Sequence, residues 1–214
     1  MSSTPFLAQR QAVIASCLRL ADQGYLAGTG GNVALRLDAQ HFAVTPSAAD
    51  YYGMTPEQIA VLRLDTLAQV AGEMKPSVES AMHASLLRRW PERLASVHTH
   101  QPLASAVALL GQALPLDEAA DIAALGPRLE VVGYAPSGTS LLVKRLRRTL
   151  REGIHAYLLR NHGLICTAPD LPRAAELVAR IEATAARWLL RQAGQLPQQH
   201  PLRRRAEAAL TNSC

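Results

Sequence analysis

The segment that most constrains this chain is a short run with two histidines separated by one residue. Val97-His98-Thr99-His100 alternates β-branched residues with imidazoles, a pattern that predicts a β-strand. Since side chains repeat every second residue along a strand, His98 and His100 leave the same face about 6.6 Å apart. Two imidazoles held this close can bind one divalent cation, and a catalytic zinc site takes three protein ligands and an open position. The pattern therefore favours a metal site, although such pairs also occur as half-buried or surface histidines.

Two residues elsewhere in the chain are candidates to complete the site. His162 follows an apolar run. Glu79 lies near the start of a predicted helix that begins at Ser77, its expected N-cap, and ends near Trp90. In the first turn the helix dipole favours an ionised carboxylate, although most first-turn glutamates only compensate that dipole at the surface. His83 lies one turn further on the same face, so it is a rival fourth ligand or, as we expect, a core residue that supports the site.

Hydrophobic periodicity places the remaining elements. It predicts helices over Pro5–Gly24, Pro102–Leu110, Ser140–Glu152 and Leu171–Ala193. It predicts further strands over Val33–Leu37, His41–Thr45, Val61–Leu64, Val131–Tyr134 and Ala156–Leu159. We find no repeats and no domain boundary, so residues 1–214 are interpreted as one domain with a partly mobile tail from about residue 195.

Composition is that of a globular protein without disulfides. The chain has 214 residues, of which 49% are hydrophobic and 18% are charged, which suits one domain with a substantial core. Its three cysteines, an odd number without zinc-finger spacing, argue against a disulfide framework. No apolar run is long enough to span a bilayer, and the first residues lack the pattern of a signal peptide. We therefore expect a cytoplasmic protein with no membrane partner.

The net charge of +5 raises the question of nucleic-acid binding. The basic residues cluster at 144–148 and 203–205, and no aromatic residues for base stacking lie among them. The first cluster lies on a helical pattern and is interpreted as a solvated face. We expect no nucleic-acid partner; attraction of anionic substrates is a milder consequence of the same charge.

Six motifs occur in an order that resembles one known family. They are Gly28-Thr29-Gly30-Gly31-Asn32-Val33, Val44-Thr45-Pro46-Ser47, Lys75-Pro76-Ser77-Val78-Glu79, Val97-His98-Thr99-His100, Gly133-Tyr134-Ala135-Pro136-Ser137-Gly138-Thr139 and Asn161-His162-Gly163-Leu164. Together they resemble the class II (zinc-dependent) sugar-phosphate aldolase and adducin-head family, from about Arg10 to Leu190. The resemblance implies a three-layer α/β/α domain with a mostly antiparallel central sheet, and a homotetramer with active sites between subunits.

The resemblance also implies roles for the site residues. His98, His100, His162 and Glu79 would bind Zn²⁺ or another divalent metal, and Glu79 would leave the metal to act as the catalytic acid/base. The epimerase branch of the family has Asp at this position, so Glu79 indicates aldolase or dehydratase chemistry. From composition alone the glycine-rich segment is a simple turn. The family instead implies a phosphate pocket, formed here by Thr29, Gly31, Asn32, Ser47 and Ser77.

This chain departs from the family pattern at four places. Ala48 replaces an expected glycine, and Val78 replaces a second serine of the phosphate pocket. The tyrosines that serve a family aldolase as proton donors have no counterpart. We hypothesise that Glu118 or Asp121 replaces the missing donor, or that the reaction needs none, as in a decarboxylation.

The function implied by the resemblance is a metal-dependent lyase. The leading hypothesis is an aldolase that cleaves a ketose phosphate or related sugar derivative through a zinc-stabilised enediolate. The alternatives are a dehydratase or decarboxylase of a sugar phosphate or sugar-acid phosphate, and a non-catalytic adducin-like module. Small-molecule sugar phosphates or sugar acids are the expected substrates.

Overall fold

The computed structural model describes residues 4–26, 28, 30–195, 203 and 208. Its strands are β1 (Asn32–Arg36), β2 (His41–Val44), β3 (Ala60–Arg63), β4 (Gln69–Ala71), β5 (Ala95–Thr99), β6 (Leu114–Pro115), β7 (Arg128–Val132), β8 (Ala156–Leu159) and β9 (Gly163–Ala168). Its helices are α1 (Leu7–Asp22), α2 (Ser80–Arg89), α3 (Pro102–Leu110), α4 (Ala119–Leu125), α5 (Ser140–Thr149) and α6 (Leu171–Gly194), with a short 3₁₀ turn at Pro56–Gln58.

These strands form one mixed sheet in the order β4-β3-β2-β1-β5-β9-β8-β7-β6. Only β7 and β8 pair in parallel; the other neighbouring pairs in this order are antiparallel. Strand β5 lies at the centre, between β1 and β9, where Asn32 is opposite His98 and Leu164 is opposite Thr99. The predicted α/β fold with a mostly antiparallel sheet is confirmed.

Helices cover both faces of the sheet. On one face α1, α3 and α6 bury an apolar core against alternate strand residues, represented by Val13, Val107, Val178, Val97 and Leu158. On the other face α2 and α5 pack against the intervening residues, represented by Met82, Leu146, Tyr157 and Ile165. Each large apolar side chain buried in this way contributes roughly 1.5–3 kcal/mol relative to its exposed state. The three layers follow from this two-sided burial.

The start of α2 differs from the sequence prediction. The helix begins at Ser80 rather than at Ser77. The backbone N–H of Ser77 donates to the carbonyl of Thr45 at 3.0 Å, and Pro46 and Pro76 form an isolated antiparallel bridge. Because this pairing keeps the backbone around residue 76 extended, the helix can begin only after it.

Three further points complete the comparison with the sequence. Cys17 and Cys166 are buried free thiols, as expected for a chain without a disulfide framework, whereas Cys214 lies outside the described residues. None of the helices described here is long and apolar enough to cross a membrane. Most of the predicted mobile tail, from residue 196 onward, falls outside the described residues.

Candidate metal centre

Three histidines from separate parts of the chain meet at one end of the central strands. His98 lies on β5, His100 follows that strand, and His162 lies in the turn between β8 and β9. The Nε2 atom of His98 is 3.0 Å from Nε2 of His100 and 3.2 Å from Nε2 of His162. The antiparallel pairing of β5 with β9 brings the turn beside the end of β5. The three histidine side chains therefore lie close together, as the metal hypothesis requires.

Backbone groups fix the chain at His100 and the ring of His98. The backbone N–H of His100 donates to the carbonyl of Tyr25 at 3.1 Å. The Nδ1 atom of His98 lies 2.7 Å from the carbonyl oxygen of Leu164. Since a carbonyl oxygen only accepts, Nδ1 of His98 carries the proton, and Nε2 of the neutral ring directs its lone pair toward the other histidines.

Glu79 completes the cluster and is buried. Its Oε2 atom lies 3.3 Å from Nε2 of His98, and its Oε1 atom lies 3.3 Å from Nε2 of His162. The carboxylate also accepts hydrogen bonds from Nδ2 of Asn32 and from the hydroxyl of Ser137, both at 2.8 Å. Glu79 is the N-cap residue of α2 and not a residue of its first turn, because the helix begins later than predicted.

The spacing of these donor atoms fits a tetrahedral cation. With metal–nitrogen bonds of about 2.0–2.1 Å and tetrahedral angles, two ligand nitrogens stand roughly 3.3 Å apart. The Nε2 atom of His98 stands close to that distance from the Nε2 atoms of both His100 and His162. These three histidines also form the group in the described residues whose ligand atoms lie near enough to one another to hold one metal ion.

The electrostatics suit metal binding. Burial lowers the pKa of His98, His100 and His162 below the usual value for an imidazole, which keeps the rings neutral and able to coordinate. Burial alone would raise the pKa of Glu79. His98, the amide of Asn32, and weaker contributions from His162 and Ser137 outweigh burial and lower that pKa to about 2. The site therefore presents neutral imidazoles beside an ionised carboxylate.

Two of the predicted phosphate-binding residues, Asn32 and Ser77, contact Glu79. Ser47 and Ser77 belong to two adjacent segments, since the backbone N–H of Ser47 donates to the carbonyl of Lys75 at 3.0 Å. Ser77 lies directly before α2, and its Oγ atom accepts the backbone N–H of Glu79 at 3.2 Å. The amide of Asn32 is bonded to the Glu79 carboxylate, a contact that the sequence did not predict.

The glycine-rich segment is held in a conformation that requires glycine. Gly31 has φ +86°, and a Cβ atom there would lie 2.8 Å from the carbonyl oxygen of His98 and would overlap Leu26. The buried hydroxyl of Tyr51, which the sequence analysis missed, donates to the carbonyl of Gly31 at 2.7 Å. Thr29 lies outside the described residues. Ala48 has φ +53°, in the left-handed region that favours glycine.

The two candidate proton donors are placed away from this cluster. Asp121 is buried in a close ion pair with Arg180 of α6, and Glu118 is an exposed N-cap residue of α4. Within the described part of the chain, neither carboxylate is hydrogen-bonded to Glu79 or to the three histidines. Sequence reasoning also missed the contact of Ser137 with Glu79, although it included Ser137 in one of the six family motifs.

Comparison with known proteins agrees with this geometry. Residues 11–189 match the model of the class II aldolase and adducin N-terminal domain. The chain is 35% identical over 181 residues to 5-deoxy-D-ribulose 1-phosphate aldolase of Bacillus thuringiensis serovar kurstaki, covering 83% of this chain and 82% of the relative. It is 29% identical over 186 residues to 3-oxo-tetronate 4-phosphate decarboxylase of Haemophilus influenzae, covering 84% and 86%.

A solved structure shares almost the whole fold. An L-fuculose 1-phosphate aldolase superposes with a TM-score of 0.82 at 28% sequence identity, and the match covers 99% of this chain and 97% of that one. The resemblance inferred from the six motifs is confirmed. The chain belongs to the class II aldolase and adducin family.

Proposed function

We propose that this protein is a metal-dependent lyase of the aldolase type, which cleaves a carbon–carbon bond in a ketose phosphate or a related sugar derivative. The observation that carries the proposal is the convergence of the Nε2 atoms of His98, His100 and His162 beside the buried Glu79 carboxylate. The similarity to a 5-deoxy-D-ribulose 1-phosphate aldolase supports the same reaction class.

Zn²⁺ is the metal we propose, held by the three histidines and, before substrate binds, by Glu79. Its chemistry there is that of a Lewis acid, which polarises a substrate carbonyl and stabilises negative charge. Nitrogen-rich tetrahedral sites suit zinc, although another divalent metal fits the same donors.

Glu79 is the group we assign to proton transfer. In a retro-aldol cleavage, the hydroxyl group β to the ketone loses its proton and becomes a carbonyl as the carbon–carbon bond breaks. The electron pair of that bond remains on the carbon beside the ketone, which then takes up a proton. A carboxylate oxygen of Glu79 would accept the first proton and return it once Glu79 has left the metal, because a carboxylate freed from a cation gains proton affinity.

The phosphate group is proposed to bind Thr29 and the segments around Gly31, Asn32, Ser47 and Ser77. The Oγ atom of Ser77 accepts the backbone N–H of Glu79, which leaves its hydroxyl hydrogen free to donate to a phosphate oxygen. The side-chain amide of Asn32 is bonded to Glu79 and His83, so the second hydrogen of its NH₂ group is the one that would donate to a phosphate oxygen.

A decarboxylase of a sugar-acid phosphate is the second candidate. The relative from Haemophilus influenzae supports it, since that protein is named a 3-oxo-tetronate 4-phosphate decarboxylase. The placement of the acidic candidates also supports it. Asp121 is paired with Arg180, and among the described residues Glu118 makes no hydrogen bond to the metal-site residues of its own chain, so a reaction without a second proton donor suits the structure.

A homotetramer is the assembly we propose, with active sites that contain residues of two copies. Large apolar side chains remain exposed beside the site: Val78 is 66% exposed and Tyr134 is 51% exposed. Another copy could cover them, and Glu118 could reach a site only on another copy. Light scattering of the purified protein tests the assembly.

The cytoplasmic location stays a prediction.

The decisive experiment combines metal analysis with a substrate panel. Purified protein should contain close to one equivalent of a divalent metal per chain, and the variant His100→Ala should contain much less. A panel of sugar phosphates and sugar acids is then assayed separately for released ketone, CO₂ and water loss. Ketone release by the wild type, and none by Glu79→Gln, is expected for the aldolase; CO₂ release would favour the second candidate. Metal-free wild-type protein without turnover would favour a non-catalytic module.

A further inference from the structure

A fourth histidine lies behind the three histidines of the metal cluster and has no role in the chemistry described above. His83, on α2, is completely buried. Its Nδ1 atom is 2.7 Å from the hydroxyl of Ser96, and its Nε2 atom is 2.5 Å from Oδ1 of Asn32. The other end of the same Asn32 amide donates to Glu79 at 2.8 Å. A continuous series of hydrogen bonds therefore connects Ser96 to Glu79 through His83 and Asn32.

The donor and the acceptor in each of these hydrogen bonds can be assigned step by step, starting from Glu79. The carboxylate of Glu79 only accepts, so Asn32 must present its NH₂ group to it and its Oδ1 atom to His83. Because Oδ1 also only accepts, Nε2 of His83 must carry the proton. Nδ1 of the neutral ring then accepts from the hydroxyl of Ser96. The alternative orientation of the amide would place two acceptor oxygens, Oδ1 and the carboxylate, against each other.

We propose that His83 is a positioning residue for Glu79, acting through Asn32. It locks the amide in the orientation that donates to the Glu79 carboxylate, and so holds that carboxylate toward His98 and His162. This inference rests on the proposed function, in which Glu79 binds the metal and transfers a proton. Loss of the N–H donor at position 83 frees the amide to rotate and leaves Glu79 with a less defined position.

The contrasting explanation is that His83 only fills space beneath the sheet. Two variants separate the explanations. His83→Met keeps much of the side-chain volume but has no N–H donor, whereas His83→Gln offers an N–H for Asn32 and an acceptor for Ser96. A filler residue predicts that both variants behave alike. A positioning residue predicts that His83→Met loses function and His83→Gln recovers it.

Two readouts are measured on the purified, metal-loaded protein: zinc affinity by competition with a chelator, and kcat and KM on the substrate found in the panel. For His83→Met we expect zinc affinity and kcat to fall about 10- to 100-fold, the range seen when partners of metal ligands are removed. KM should change much less than kcat. His83→Gln should return both zinc affinity and kcat to within a few-fold of wild type.

A double-mutant cycle with Asn32→Ala tests the route of the effect. If His83 acts through Asn32, the change caused by His83→Met should nearly vanish when Asn32 is already alanine. Equal effects in both backgrounds would overturn the proposal, as would wild-type zinc affinity and kcat in His83→Met. Should His83→Met fail to fold, Ser96→Ala takes its place: it keeps the ring but removes the hydroxyl that donates to Nδ1 and holds the ring against Asn32, and unchanged zinc affinity and kcat would overturn the proposal.

Failure of the proposed function is recognised separately with Glu79→Gln. If Glu79→Gln binds zinc and turns over substrate like the wild type, the proposed function itself is wrong. If Glu79→Gln loses turnover while His83→Met does not, only the positioning role of His83 is wrong.

Discussion

Gly163 lies against Thr99 so closely that any side chain at position 163 would overlap the Thr99 carbonyl oxygen, and its Cβ atom would lie 2.9 Å from the ring of His100. Gly163 begins β9, directly after His162, and Thr99 ends β5 between the other two histidines. This close approach of two backbones allows ligands from two strands to meet. The glycine next to His162 is therefore a requirement of the metal cluster.

Gly163→Ala is expected to separate β5 from β9 at this point. Crowding of this kind costs typically about 1–3 kcal/mol of stability, and the displaced histidines should bind metal more weakly. Thermal unfolding and zinc titration measure the two effects. Gly194→Ala is the matched control, since a Cβ atom there meets nothing within 4 Å and its φ is not positive. A Gly163→Ala protein as stable and as metal-binding as this control would contradict the packing argument.

Removal of the metal should destabilise the protein. A ligand that binds only the folded state, at a concentration 100 times its Kd, stabilises the folded protein by about 2.7 kcal/mol. For a chain of this size that stabilisation raises Tm by about 5–10 °C. Chelation should therefore lower the Tm of the wild type and leave that of His100→Ala unchanged. His41→Ala is the control, because His41 pairs with Asp38 at the surface and should retain the full shift. Identical Tm values with and without chelator would count against a bound metal.

The local patterns of the sequence predicted much of this structure. Helix Pro102–Leu110 and strand Ala156–Leu159 have the predicted bounds, because their periodicity and flanking residues coincide with their burial. The start of α2 was predicted wrongly. What delays the helix is a bridge between Pro46 and Pro76, and such a contact between distant segments leaves no local signal.

The candidate site, too, could be predicted from the sequence only in part. The three histidines could be proposed from spacing and family motifs, since the ligand types themselves are visible in the sequence. The contacts of Asn32 with Glu79 and His83 could not, because they depend on the register of β1 against β5 and on the packing of α2 beneath them. Asp121 looked available as an acid, yet α6 supplies Arg180 to neutralise it.

Glu182 is expected to be a stability determinant remote from the metal centre. Its carboxylate, on α6, accepts hydrogen bonds from the backbone N–H groups of Leu103 at 2.7 Å and Ala104 at 2.9 Å. A residue of another helix therefore caps the start of α3. Glu182→Ala leaves both buried donors unpaired, which should cost about 1–3 kcal/mol in the free energy of unfolding. Chemical denaturation measures the loss. Glu176→Ala, at an exposed position of the same helix, should show no measurable change; equal stabilities of the two variants would refute the capping role.

Ala48 offers a test of strain in the segment proposed to bind phosphate. Its φ of +53° lies in the left-handed region, which costs an alanine roughly 1–2 kcal/mol more than a glycine. Ala48→Gly removes this penalty but adds chain entropy to the unfolded state. Ala39→Gly carries the same entropic cost at an exposed loop residue without positive φ. Ala48→Gly should therefore be more stable than Ala39→Gly by about 1–2 kcal/mol in chemical denaturation. If both substitutions destabilise the protein equally, the backbone at position 48 is unstrained and alanine serves there as well as glycine would.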